Sequence, residues 1–197
     1  MSKIEQNREK KKQAILVAAK EVFLSEGYTS ASMDVIAAKA SITKQTLYRY
    51  FPSKIELFQN TLKRIGESYD ESFSRHLKME DTRDAMIAFA IEFVEFHTSS
   101  ENISTQRLLI TEASQVPELV ESFMQVGPND IHSLLKAFFA ERFDTENPDT
   151  MIELWLGMLH APSFDALMGM PKQSSEQLAN HATSATDLIL ASVKRKG

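Results

Sequence analysis

The sequence predicts an all-α protein, a three-helix head followed by a larger helical body, and three observations carry that expectation. Apolar residues recur at helical spacing through most of the chain, and nothing alternates long enough to read as a strand. Helix punctuation is dense, with Ser, Thr, Asp or Asn ahead of apolar runs and Gly or Pro behind them. Charge is divided: residues 1–64 hold 12 Lys and Arg against 6 Asp and Glu, a balance of +6, and the rest hold 10 against 21, a balance of −11. A basic end on a chain of net charge −5 is the footprint of a protein that meets nucleic acid at one end.

The first helix is expected from about Asn7 to Glu26, with Ile15, Ala19, Val22 and Phe23 as its buried stripe and Gly27 as its stop. Tyr28–Ala31 is a loop. Ser32 caps a short helix, Met33–Ala40, that turns Val35, Ile36 and Ala40 inward. Ser41-Ile42 is a tight turn. Thr43 caps a second short helix, Lys44–Tyr50, with Leu47 and Phe51 facing in. Pro52 cannot continue it, and Ser53 opens the next helix, with Glu56 completing a capping box. The head core is expected to be Ile15, Ala19, Phe23, Tyr28, Val35, Ile36, Leu47 and Phe51. From Ser53 a long connector carries Ile55, Leu57, Phe58, Leu62 and Ile65, then polar residues to Lys78.

In the body, Asp81-Thr82 opens a helix to about Thr98 that is apolar nearly all round, the pattern of a central helix. Ser99–Asn102 reads as a loop and Ile103–Ser114 as a helix. Pro117 marks a helix start ahead of Leu119, Val120, Phe123 and Met124; Gly127-Pro128 breaks or kinks it, and Ile131, Leu134, Leu135, Phe138 and Phe139 resume the pattern. Asn147-Pro148 is an N-cap and first-turn proline for a helix carrying Ile152, Trp155 and Leu159, which Pro162 interrupts or bends and Gly169–Pro171 ends. Ser174 with Gln177 opens the last helix, whose stripe is Leu178, Ala182, Ala185 and Ile189 and whose end is the basic run Lys194–Lys196.

The helix Lys44–Tyr50 shows Lys44, Gln45, Thr46, Tyr48 and Arg49 on its open face, side chains that read base edges and hold phosphates. Two short helices joined by a tight turn form a helix-turn-helix, whose second helix enters the major groove. A small hairpin with a solvated polar face is the plain alternative. Residues 32–54 resemble the DNA-binding signature of the TetR/AcrR family of ligand-responsive transcriptional regulators, matching in order and spacing at Ile36-Ala37, Thr46–Phe51 and Ser53-Lys54. One departure stands in the turn, where the family usually has Gly and this chain has Ser41; a positive φ there would strain a serine. The stretch from Leu108 to Pro128 is similar, more loosely, to the AefR-like C-terminal domain of that family.

The resemblance implies a helix-turn-helix DNA-binding domain over residues 1–53 and an effector-binding and dimerisation domain over 54–197, with the connector at about 54–78. It places Lys44, Gln45 and Thr46 against base edges and Thr43, Tyr48, Tyr50 and Lys54 on phosphates, and it leaves Arg49 open to either role. Arg8, Lys10, Lys11 and Lys12 read equally as an arm reaching phosphates or as a solvated helix start.

Composition excludes other classes. The absence of cysteine rules out disulfides and thiolate metal sites and fits a cytoplasmic protein. No apolar run reaches the roughly 20 residues that span a bilayer, and the first residues lack the apolar core of a signal peptide. His76, His97, His132, His160 and His181 are scattered, so no metal is expected. No GxSxG, Walker loop or dinucleotide-type glycine run is present, so neither an enzyme nor a cofactor is expected.

Two further expectations concern the body. Phe89, Phe93, Phe96, Leu108, Phe123, Met124, Phe138, Trp155, Met158 and Phe164 are candidate walls of an effector pocket, with His97, Thr111, Gln115 and His160 as polar handles. For any one of these, a place in a filled core is the commoner outcome. The last two helices, about 148–168 and 175–194, are expected to pair with their copies in a homodimer, with Ala179, Ala182, Ala185 and Ala191 allowing close approach. The function expected is a one-component regulator, a repressor that binds a palindromic double-stranded operator as a dimer and is released by a small, largely apolar effector. A global regulator or activator of the same family, a nucleoid-type protein indifferent to sequence, and an enzyme or carrier using the apolar cavity are the rivals.

Overall fold

Ser2 accepts from the Glu5 N–H and the Glu5 carboxylate accepts from the Ser2 N–H, a capping box that starts the first helix. The helix therefore begins at Lys3, earlier than the apolar stripe alone indicates, because capping chemistry and not burial fixes that end. The computed structural model describes the backbone of residues 2–126 and 128–195, and side chains throughout these except at 66–71, 126, 128–130 and 195. The expected break at Gly127 and the basic residue Lys196 lie outside the described residues.

Helices α1 (Lys3–Glu26), α2 (Met33–Lys39), α3 (Lys44–Tyr50), α4 (Lys54–His76) and α5 (Thr82–His97) are followed by α6 (Ser100–Glu112), α7 (Glu118–Val126), α8 (Pro128–Arg142), α9 (Pro148–Leu167) and α10 (Ser175–Ser192). Two-residue strands β1 (Phe143–Asp144) and β2 (Lys194–Arg195) pair antiparallel, Phe143 opposite Arg195. Apart from this short ladder the architecture is helical, as expected. The final basic run is not a helix end: α10 stops at Ser192, and Lys194–Arg195 is drawn into the ladder with β1.

The chain packs as two units, residues 1–67 with 107–127 and residues 68–106 with 128–197. Two of the three dividing points fall inside α4 and α6, whereas the sequence reading draws its line after residue 53. A head of α1 and two seven-residue helices encloses little apolar surface. The first unit accordingly buries Leu57, Phe58 and Leu62 of α4 and Leu108, Leu109 and Leu119 of the α6–α7 segment together with Ile15, Phe23, Ile36, Leu47 and Phe51. Phe23, Tyr28 and Phe58 form a ring triangle with centroids 5.2–5.7 Å apart.

Val35 does not join that core; it is 42% exposed, and Met33 and Ala37 take the inward positions beside Ile36. Adjacent positions on a helix lie about 100° apart, so a two-turn helix that turns 33, 36 and 37 inward must turn 35 outward.

Ser41 has φ 54°, and it is the one non-glycine residue with positive φ among those described. The turn therefore does require the conformation that glycine adopts freely, and the serine Cβ works against it by about 1 kcal/mol. Ser41→Gly is expected to raise the stability of the chain by about 0.5–1 kcal/mol, less than the full strain because glycine also gains freedom when unfolded. A urea midpoint that does not rise, at unchanged slope, would contradict this.

In the second unit α5 lies against α9 and α10. Its core gathers Met86, Phe89, Phe93, Leu135, Phe138, Phe139, Ile152, Trp155, Leu178 and Ile189. Trp155 donates its indole N–H to Thr186 Oγ1 at 3.2 Å, so the largest buried side chain leaves no polar atom unpaired. Arg83 on α5 forks onto Asp187 of α10 at 2.7 and 2.9 Å. Ala182 and Ala185 are buried within this core, so two of the four small residues assigned to dimer packing serve close approach inside one chain.

Pro162 neither interrupts α9 nor ends it. A proline removes the N–H that would bond the carbonyl of residue 158. Here His181 on α10 donates its Nε2–H to the Met158 carbonyl at 2.7 Å, and the orphaned acceptor is satisfied from a neighbouring helix.

Candidate nucleic-acid interface

The α2–turn–α3 segment is fixed by its caps. Ser32 Oγ accepts from Val35 N–H and Thr43 Oγ1 from Thr46 N–H, both at 3.2 Å. The Ile42 N–H closes the turn on the Ala37 carbonyl at 3.0 Å. Leu47 and Phe51 are buried and anchor α3 from below. Thr43, Lys44, Gln45, Tyr48 and Arg49 are exposed, while Thr46 and Tyr50 are half-buried. The Thr43 and Thr46 hydroxyls lie 2.9 Å apart and hydrogen-bond to each other, which ties both to the start of α3.

Lys44 Nζ donates to Asp34 Oδ2 at 2.9 Å, across the two helices of the motif. The hydrogen bond to Asp34 and its charge hold the Lys44 ammonium above its ordinary range, so it stays protonated. An exposed pair of this kind is weak and exchangeable. Asp34 thus aims Lys44 as well as standing in the first turn of α2.

Lys54 is placed differently from its expected role. Its ammonium donates to the carbonyls of Tyr28, Thr29 and Ala31 at 2.8, 3.2 and 3.0 Å and stands 4.6 Å above the Tyr28 ring. A lysine has three donors, and all three are spent on the α1–α2 loop. The residue holds that loop closed and has no N–H left for a phosphate. Burial pulls its pKa down, partly opposed by the Glu112 carboxylate.

Glu112 completes the arrangement and was not singled out from sequence. Its carboxylate accepts from the Thr29 N–H at 3.1 Å and from the Thr29 hydroxyl. Burial pushes the Glu112 carboxyl up, but the bonds from Thr29 and Tyr28 and the charge of Lys54 outweigh it, and the net shift is down. Gly27 makes room for it: at φ 83°, a methyl group there would sit 2.8 Å from Glu112 Oε1. An acid 83 positions along the chain from its partner leaves no local signature.

A cleft of about 500 Å³ opens between the first turns of α1 and the end of α3, lined by Ile4, Asn7, Arg8, Lys11, Arg49 and Tyr50. No carboxylate is among its described lining residues.

The candidate effector residues separate into two sets. Phe89, Phe93, Phe138 and Trp155 are buried together in the core of the second unit, with Phe96 and Met158 packed against them. Leu108 belongs to the core of the first unit and Phe123 packs against it, Thr111 bonds back to the Arg107 and Leu108 carbonyls, and Gln115, Met124 and Phe164 are exposed. Leu108 and Phe123 are not among the hydrophobic residues of the second unit's cluster.

His97 and His160 do belong to it. Their ring centroids are 4.4 Å apart, and the Phe93 ring lies 3.9 Å from His97 and 5.0 Å from His160. His97 Nδ1–H donates to the Phe93 carbonyl at 2.8 Å. Burial, and then the neighbouring His160, depress the His97 pKa to about 3, against a weaker opposing effect of the Phe93 bond, and burial lowers His160 as well. Both rings are therefore neutral at neutral pH. A histidine that stays neutral when folded binds fewer protons folded than unfolded. Stability is then lost as pH drops below about 6.5 and continues to fall toward about 3. About 1–2 kcal/mol should disappear between pH 7 and pH 5, and His97→Leu should flatten that limb of a stability-versus-pH curve. An unchanged curve in the variant would contradict the assignment.

Among the described residues no three His, Asp or Glu gather to hold a metal ion, and no helix is long and apolar enough to cross a membrane.

Residues 15–61 match the family model described as bacterial regulatory proteins of the tetR family, and residues 84–192 match the AefR-like transcriptional repressor C-terminal domain. Over 122 residues the chain is 30% identical to the HTH-type transcriptional activator FasR of Mycolicibacterium smegmatis, covering 58% of this chain and 56% of that one. Over 93 residues it is 30% identical to the HTH-type transcriptional regulator SrpR of Pseudomonas putida, covering 47% and 44%. The chain thus spans about half the length of these curated relatives. The fold is similar to that of a TetR-family regulator from Mesorhizobium loti, with a TM-score of 0.82 at 23% identity, covering 94% of this chain and 97% of that one.

Proposed function

Because the chain belongs to the TetR family of transcriptional regulators, we propose that it binds a palindromic DNA operator as a homodimer and leaves it when a small effector occupies the body. The observation that carries the reading is α3: a short helix anchored by buried Leu47 and Phe51 that exposes Gln45, Tyr48, Arg49 and a Lys44 aimed by Asp34. Gln45, Lys44 and Thr46 are the proposed base readers, and Thr43, Tyr48 and Tyr50 the proposed phosphate contacts. Lys54 is not proposed for either role, since its three donors are engaged. Repression is the proposed sign, following the AefR-like repressor domain over 84–192. The chain is accordingly a regulator and not an enzyme.

Dimerisation is proposed through α9 and α10. Leu154, Gly157, Ala161, Phe164 and Met168 share one face of α9 at alternating three- and four-residue spacing. Leu154, Phe164 and Met168 are 56%, 64% and 70% exposed, as is Leu188 of α10 at 62%. A second copy is the occupant that fits, because a regulator of two half-sites needs two α3 helices in fixed register. The effector is proposed to contact the Phe89–Phe93–Trp155 cluster with its neutral His97 and His160. It acts by binding one dimer geometry better than the other, which shifts the population away from the DNA-competent one.

Selection of duplexes by the full chain from a random pool tests the reading. A recovered inverted repeat with half-sites one helical turn apart, or a multiple, is the expected result. Recovery of random sequence would support a sequence-indifferent binder instead, and recovery of no duplex would end the DNA-binding proposal.

A further inference from the structure

The cleft between α1 and α3 has a chemical bias that neither helix alone requires. Ile4, Asn7, Arg8 and Lys11 fall at i, i+3, i+4 and i+7, one face of α1, and Arg49 and Tyr50 close the opposite wall from the end of α3. Every polar group in that lining can donate a hydrogen bond: an amide, two guanidinium groups, an ammonium and a phenol. The nearby acids are turned to other work. Glu5 caps Ser2 at 2.6 Å, and Glu9 takes the Gln13 amide at 2.7 Å. Three cations share one concavity whose described lining holds no carboxylate, a surface that favours an anion.

We propose that this cleft is a clamp for a DNA phosphodiester, in which Arg8 and Lys11 of α1 and Arg49 of α3 grip the same backbone segment. The inference rests on α3 reading DNA and settles the role left open for Arg49. Lining the cleft together with Arg8 and Lys11, Arg49 holds backbone and does not read a base. The clamp gives the long first helix a function, because its opening turns project beyond the buried stripe that begins at Ile15 and bury nothing themselves. It supplies affinity and register without sequence preference.

The test uses the full chain, the duplex it selects and a salt titration. Arg8→Ala, Lys11→Ala and Arg49→Ala are each expected to weaken binding several-fold and to lower the slope of log affinity against log salt by about one. The preferred sequence should stay the same in all three. Unchanged slopes would overturn the clamp, and a changed base preference in Arg49→Ala would return that residue to base reading. Pyrophosphate alone is the second probe: if the variants lose it while their DNA slopes stay at the wild-type value, the cleft holds a free anion and the proposal fails. Wild-type protein that selects no duplex would instead overturn the DNA-binding reading beneath it, a result the variants cannot mimic.

Discussion

Lys54→Ala is expected to destabilise the first unit by about 2–3 kcal/mol, one of the largest losses any single polar side chain of this chain should show. The variant leaves the Tyr28, Thr29 and Ala31 carbonyls without their shared donor, and it leaves the Glu112 carboxylate beside them without its countercharge. Each half of the arrangement depends on the other. Lys54 gathers carbonyls from one side of the loop, Glu112 gathers N–H and O–H groups from the other, and Gly27 bends the backbone so that both reach. Glu112→Ala should therefore cost a similar amount, and the two losses should not add. DNA affinity should fall in both variants at all salt concentrations in parallel, because the loop sets the start of α2 and no phosphate contact has been removed. Urea unfolding and a salt titration separate the possibilities. A Lys54→Ala chain of wild-type stability whose salt slope drops by about one would make Lys54 a phosphate ligand after all.

The contrast between Lys54 and Leu47 shows which parts of this molecule were legible in sequence. Leu47, Phe51 and the Ser32, Thr43 and Ser174 caps were read correctly because their causes lie within a few residues of them. Helical spacing and capping are local, and so were the two short helices and their turn, down to the strained φ at Ser41. Lys54 stands in a recognisable motif, but its role is set by carbonyls 23 to 26 positions earlier. Glu112 lies 83 positions from its partner, and the persistence of α9 through Pro162 depends on a histidine 23 positions from the carbonyl it serves. No periodicity encodes such pairs. The candidate effector residues divide between the two units for a related reason. Leu108 and Phe123 look no different in sequence from Phe89 and Trp155, and only the packing assigns the first two to the other unit.

Leu154→Glu combined with Phe164→Glu is expected to give a folded monomer that has lost the operator. Both side chains are more than half exposed, so the change removes little burial within the chain and its unfolding midpoint should barely move. The loss belongs to the face they share. Gly157 lies on that face, in the interior of a 20-residue helix, where glycine costs about 1 kcal/mol relative to alanine. A Cβ at that position would meet nothing within 4 Å in its own chain, so the chain's own packing gives no reason for the glycine. Close approach by a helix from a second copy gives one. Gly157→Leu should then separate the copies as the charged pair does, by bulk instead of repulsion. Two linked α3 helices bind two half-sites with an advantage of about 10²–10⁴ over one, so monomeric variants should lose that factor on the full palindrome. On an isolated half-site they should bind as well as wild type, since the α3 surface is untouched. Sedimentation together with binding to whole and half operators measures both quantities. Variants that remain dimeric would move the pairing surface elsewhere on the chain, and monomers that keep full affinity for the palindrome would remove the need for pairing altogether.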